Sequence, residues 1–149
     1  MKNIIIYTDG SCHTKTKTGG WAAVLFYDEI EEEISGSEEN TTNNRMELTA
    51  VIKALKKLKE PHNVYLHSDS SLITDAFNKN KITKWESMNW KTNADKDRTN
   101  KDLWMILLPL TKIHNIEWIK VKAHKGNTYN IKANKLARKA MKIKNKKEK

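Results

Sequence analysis

Ile4-Ile5-Ile6-Tyr7-Thr8-Asp9-Gly10-Ser11 decides how the rest of the chain is read. Consecutive β-branched residues predict a strand over residues 3–8 with both faces buried, because a half-exposed strand would alternate polar and apolar residues. That strand runs into a carboxylate, Asp9, beside a glycine. A second strand-like segment, Val64-Tyr65-Leu66-His67, ends the same way in Ser68-Asp69-Ser70. Between them Glu47 lies in line with Val51, Ala54, Leu55 and Leu58 on the apolar stripe of a predicted helix. Two strand-end carboxylates and one on a core-facing stripe are expected to meet at the mouth of a sheet. Buried carboxylates repel one another and cost several kcal/mol unless paired or bound to metal, so the cluster predicts divalent cations.

Around these acids the pattern is βββαβα…αβα. Gly19-Gly20 predicts a turn, Trp21–Tyr27 a second strand and Glu31–Ser35 a third, charged and at the sheet edge. Thr41-Thr42-Asn43-Asn44 offers capping side chains for a helix running to about Lys59. Ser70 or Ser71 opens a short helix through Phe77, and the irregular basic pattern from Asn78 to Asn100 predicts a helical excursion with a loop. A helix over Asp102–Lys112, weakened in its last turn by Pro109, a strand over Ile116–Val121 and a final helix from about Asn130 complete the order. This order predicts an α/β fold, a five-stranded mixed sheet flanked by helices, as one domain over residues 1–149 with a lysine-rich end at about 139–149.

The net charge of +10 is unevenly placed. Residues 1–121 carry 17 basic and 17 acidic side chains, whereas residues 122–149 carry 11 basic and one acidic. A second basic stretch, Lys79–Lys101, holds seven bases and three acids, and Asp28–Glu39 holds seven acids and no base. Lysine-rich ends often serve solubility alone. Two basic regions, one threaded with Trp85 and Trp90, point instead to a phosphate backbone. No apolar run is long enough to span a membrane, and Met1-Lys2-Asn3 leads straight into a strand without a signal-peptide pattern. A single cysteine, Cys12, excludes an internal disulfide framework and fits a reducing cytoplasm.

The order and spacing of the motifs resemble the type 1 ribonuclease H family. The matching residues are Tyr7-Thr8-Asp9-Gly10-Ser11, Thr41-Thr42-Asn43-Asn44-Arg45-Met46-Glu47-Leu48, and Ser68-Asp69-Ser70. Trp85, Trp90-Lys91-Thr92, Asp102-Leu103-Trp104 and Val121-Lys122-Ala123-His124 continue the match over nearly the whole chain. The resemblance implies a ribonuclease H-like fold. It also implies a monomer that cleaves the RNA strand of RNA–DNA hybrids with two Mg²⁺ ions, for which Mn²⁺ can substitute. Two cations about 3.5–4 Å apart activate a water, neutralise the phosphate and stabilise the leaving oxygen. In this reading Asp9, Glu47 and Asp69 are catalytic metal ligands, and His124 moves protons or helps product leave.

The chain departs from the family pattern at the fourth ligand, where an acid is expected and Asn134 stands. An amide keeps an oxygen donor and nearly the same shape but loses the charge that anchors a hard cation, which implies impaired activity. An engineered substitution, a natural enzyme of reduced activity and a noncatalytic hybrid-binding module all remain open. The resemblance also implies substrate contacts. Ser11, Cys12, Asn43 and Asn44 face 2′-hydroxyls, a role Asn43 can combine with helix capping. Thr42 holds a phosphate of the DNA strand, and Arg45 supports that pocket or pairs with a glutamate on its own helix. Trp85, Trp90 and Lys91 grip the hybrid, or else the two tryptophans staple the excursion to the body. Trp104 and Trp118 read as core residues.

Overall fold

A five-stranded sheet in the order β3-β2-β1-β4-β5 organises the protein, seen here as a computed structural model that describes residues 1–122 and 128–147. β1 (Lys2–Cys12) pairs antiparallel with β2 (Gly19–Tyr27), which pairs antiparallel with the edge strand β3 (Ile30–Glu38). On its other side β1 runs parallel to β4 (His62–Ser68), and β4 parallel to β5 (Asn115–Lys120). The parallel pairs need crossovers. α1 (Asn43–Lys57) supplies the first, and α2 (Ser71–Asn78), α3 (Lys81–Ser87) and α4 (Lys101–Ile113) supply the second. α5 (Thr128–Lys147) closes the described chain and packs on β1, β2 and β3.

The main core lies between the sheet and α1 to α4. Ile4, Ile6, Leu25, Val64 and Leu66 meet Leu48, Val51, Leu55, Ile73, Trp104 and Leu107 there, all nearly inaccessible. The other face is covered by α5 through Ala133, Ala137 and Met141. Small residues let this helix sit close: a Cβ on Gly20 would fall 2.0 Å from the Ala137 carbonyl oxygen. The cover stops short of the start of β1. Ile5 is therefore 42% exposed, and the expected strand with both faces buried holds only toward its carboxyl end, where Thr8 and Asp9 are buried. An isoleucine run cannot report how far a remote helix reaches.

Two further expectations are corrected. Gly19 and Gly20 are the first residues of β2 rather than a turn, selected for close approach to α1 and α5. Helix α4 continues through Pro109 to Ile113, one residue beyond the expected end. The basic excursion is anchored by Trp85, Trp90 and Trp104, whose ring centroids lie 5.4–6.4 Å apart. Trp90 adopts a left-handed backbone (φ 57°), costly for a bulky residue, and its buried indole offsets that cost.

Candidate active site

The carboxyl ends of β1 and β4 are neighbours in a parallel pair, which brings Asp9 and Asp69 to the same end of the sheet. Asp69 is fixed between two serines. Ser68 Oγ accepts the Ser70 N–H (3.0 Å), and Ser70 Oγ caps α2 by accepting the Ile73 N–H (3.4 Å). Glu47 arrives from the second turn of α1. That helix presses on β1 so closely that a Cβ on Gly10 would lie 2.4 Å from the Glu47 backbone nitrogen. Only glycine fits there. The same approach lets the Gly10 N–H donate to Glu47 Oε1, while Asp9 Oδ1 accepts the Gly10 N–H at 2.9 Å.

One carboxylate oxygen from each of Asp9, Glu47 and Asp69 lies within 4.8 Å of the others. Asp9 and Glu47 are buried, and Asp69 is half-buried. Burial, followed by the hydrogen bond and charge of Asp9 and the charge of Asp69, pushes the Glu47 carboxyl well above its ordinary range. Three hard oxygen donors under mutual repulsion are the donor chemistry that divalent cations such as Mg²⁺ or Mn²⁺ prefer, so these residues fit such ions.

Position 134 joins this cluster from α5. Asn134 Nδ2 donates to Asp9 Oδ2 at 2.8 Å, across 125 residues of sequence. The amide thus satisfies an oxygen that a carboxylate at the same place would repel. His124 lies outside the described residues.

The residues expected to touch substrate separate into two groups. Ser11, Cys12, Thr42, Asn43 and Asn44 stand near the acids at the end of β1 and the start of α1, with Thr42, Asn43 and Asn44 exposed. The helix cap is Thr42, not Asn43: Thr42 Oγ1 accepts the Arg45 N–H (3.2 Å), leaving its O–H proton available as a donor. Cys12 Sγ donates to the Thr41 carbonyl (3.4 Å), and burial raises its thiol pKa, so it is a neutral thiol rather than a nucleophile.

Arg45 does not pair with the glutamate on its own helix. Its guanidinium takes Asp102 bidentately (3.0 and 2.8 Å) and Asn100 at 3.3 Å, tying α1 to α4. Sequence reasoning had both residues in its motifs without the pairing, because nothing local links positions 57 apart. Trp85 and Trp90 are 8% and 7% exposed and belong to the core cluster, so their burial supports the stapling role rather than an exposed grip. Lys91 is tied to Asp97 at 2.8 Å. Trp104 is core, and Trp118 is partly buried and stacked on Phe77 with ring centroids 4.0 Å apart.

Comparison with known proteins agrees with this geometry. The family model described as RNase H matches residues 1–142. A ribonuclease H of Caldicellulosiruptor saccharolyticus is 47% identical over 142 residues, covering 95% of this chain and 98% of its own length. A ribonuclease H of Caldanaerobacter subterraneus subsp. tengcongensis is 52% identical over 141 residues, covering 92% of each. The crystal structure of LC9-RNase H1, described as a type 1 RNase H with the type 2 active-site motif, superposes with a TM-score of 0.87. It is 27% identical, with 96% of this chain and 74% of that one covered. Agreement of that length at that identity reflects common descent, and the chain belongs to the RNase H family.

Proposed function

We propose that this protein hydrolyses the RNA strand of RNA–DNA hybrids endonucleolytically, with Asp9, Glu47 and Asp69 as ligands to two Mg²⁺ ions and Asn134 as a weakened fourth ligand. The observation that carries this reading is the convergence of three carboxylate oxygens within 4.8 Å, with the position-134 amide on Asp9. Bound cations supply an activated water and neutralise charge at the phosphate. The chain's own residues do the remainder. Glu47 and Asp9, fixed through the Gly10 amide, present preset donor atoms. Thr42 offers its hydroxyl proton to a phosphate oxygen, and exposed Asn43 and Asn44 offer amides to 2′-hydroxyls, which DNA lacks. Arg45, clamped by Asp102, holds this helix start in place. His124 moves protons or helps product leave.

Replacing the expected acid by Asn134 lowers local negative charge, so the second cation binds less tightly and turnover is reduced. A noncatalytic hybrid-binding module is the second reading, favoured only by that amide. The deciding experiment is cleavage of a labelled RNA–DNA hybrid by this chain and by Asn134→Asp, in Mg²⁺ and in Mn²⁺. The variant is expected to cut at least about tenfold faster, roughly 1.4 kcal/mol of barrier. Binding of hybrid by both without cleavage by either would leave the binding module standing and remove the enzyme.

A further inference from the structure

The basic residues fall into two sets with different partners. In the excursion, Lys79 pairs with Asp75 (3.6 Å), and Lys91 and Lys101 share Asp97 (2.8 and 3.5 Å). Arg98 lies over the Trp85 ring, 4.6 Å from its centroid. In α5, Lys132 is held by Glu31 and Glu33 of the edge strand. The next four cations of that helix, Lys135, Arg138, Lys139 and Lys142, are exposed and make no ion pair among the described residues.

Their spacing of i, i+3, i+4 and i+7 puts all four on one side of α5. The buried side of the helix is Asn130, Ala133, Ala137 and Met141. Asn134, on Asp9, stands one turn before Arg138 in the same row, so the cations begin beside the acid cluster. From Asn134 to Lys142 they run about 12 Å along the helix at 1.5 Å per residue. Like charges three and four apart repel and weaken a helix, and the pairs Lys135/Arg138, Lys135/Lys139, Arg138/Lys142 and Lys139/Lys142 all do so. Solubility alone does not call for this arrangement, since interspersed acids would serve it without the repulsion. A polyanion lying on the row removes the repulsion.

We propose that this side of α5 is a phosphate track: the duplex whose scissile phosphate sits at the acid cluster lays its neighbouring phosphates along Lys135, Arg138, Lys139 and Lys142. The inference rests on the hybrid reading given above and adds α5 to the duplex grip: four of the excursion's seven cations are held by Asp75, Asp97 or Trp85, whereas none of the four on this side of α5 is paired among the described residues. The test is fluorescence anisotropy with a labelled RNA–DNA hybrid, metal chelated so that nothing is cut, over about 50 to 200 mM salt. The protein is compared with the fourfold variant K135Q/R138Q/K139Q/K142Q. A control, K2Q/K56Q/K59Q/K112Q, removes the same charge from the opposite end of the sheet.

Each phosphate contact adds about 0.9 to the slope of log affinity against log salt, so the α5 variant should lose roughly three to four from that slope. The control should keep its slope to within about half a contact. Cooperative melting checks that both are folded; if the fourfold variant is not, R138Q alone should lose about one contact's worth of slope. Equal slopes for the two fourfold variants would overturn the track while leaving the hybrid reading intact. Absence of hybrid binding by the unchanged protein would overturn both. Salt-sensitive self-association lost in the α5 variant, with hybrid binding unchanged, would overturn the track and assign the row to the acidic β3 of a second copy.

Discussion

The two ends of the sheet bury titratable groups in opposite ways. At the amino ends of β4 and β5, His62 and His114 are buried close together, and Nδ1 of each ring meets a backbone group. The His62 backbone N–H donates to His114 Nδ1 (3.1 Å), and His62 Nδ1 meets the Glu60 carbonyl at 2.7 Å. At the carboxyl ends of β1 and β4, Asp9, Glu47 and Asp69 crowd their oxygens within 4.8 Å, and one amide from Gly10 does not relieve the repulsion. Burial pushes the His114 imidazole down, with the charge of His62 adding to it, and pushes the Glu47 carboxyl up. Each shift reports a charge that the folded state resists. The histidine end finds its partners within the protein, whereas the acid end keeps a repulsion that the proposed cations would relieve, a pattern expected where binding has been favoured over stability.

The largest effect expected is at the acid end. Asp9→Asn should lower hybrid cleavage at least about a thousandfold, near 4 kcal/mol of barrier, with folding retained in the melting curve. Near-normal turnover would mean that the cluster is structural and that the two ends do not differ in kind. Next comes Asn134→Asp, with the gain of at least about tenfold already given. Without cations that variant should also melt at a lower temperature than the parent, since a fourth carboxylate would face Asp9 in place of a donor.

The pH dependences should run in opposite directions. Folding raises the Glu47 carboxyl above its ordinary value of 4.5, so the folded metal-free protein keeps a proton that the unfolded chain releases. Its stability therefore falls as pH rises from about 4.5 up through the raised value. Adding Mg²⁺ should flatten that loss, and Glu47→Gln should remove it while reducing turnover. Thermal melts across pH with and without chelator check this, and an unchanged profile on adding Mg²⁺ would count against the metal site.

At the other end, folding lowers the His114 imidazole below its ordinary value of 6.5, so the unfolded chain takes up the proton first. Stability is unaffected above about pH 6.5 and falls as pH drops from there through the lowered value. Protonation also removes the acceptor that His114 Nδ1 offers the His62 N–H. This is the smallest effect, about 1 kcal/mol for one hydrogen bond. His114→Gln should reduce the acid sensitivity without altering the response to Mg²⁺.

How far the sequence could be read varied with the range of the interaction. The strands and α1 were legible because period and capping are local: Thr42 caps α1 inside the expected capping segment, and Ser70 caps α2. The convergence of Asp9, Glu47 and Asp69 was legible because strand ends and an apolar helix stripe have few ways to meet. The tryptophans were ambiguous because an aromatic ring looks the same in sequence whether it faces a sugar or another indole. Burial of Trp85 and Trp90 supports packing. The Arg45–Asp102 clamp and the His62–His114 pair, 57 and 52 residues apart, had no local signal. The row on α5 did have one, the i, i+3, i+4, i+7 spacing of its bases in the helix expected from about Asn130, but a count of bases does not show which of them share a face.

By itself the sequence determined which residues carry charge, the order βββαβα…αβα, and the family, since motifs and their spacing are properties of the chain. Only the tertiary structure decided how those charges are partnered. Among the described residues the same lysine is an unpaired cation on one side of α5 and a neutralised one beside Asp97 or Glu31, and the asparagine at 134 reaches Asp9 only because α5 lies on β1. Charge belongs to the residue, but its energy depends on distance and burial, and both are fixed only when remote segments pack.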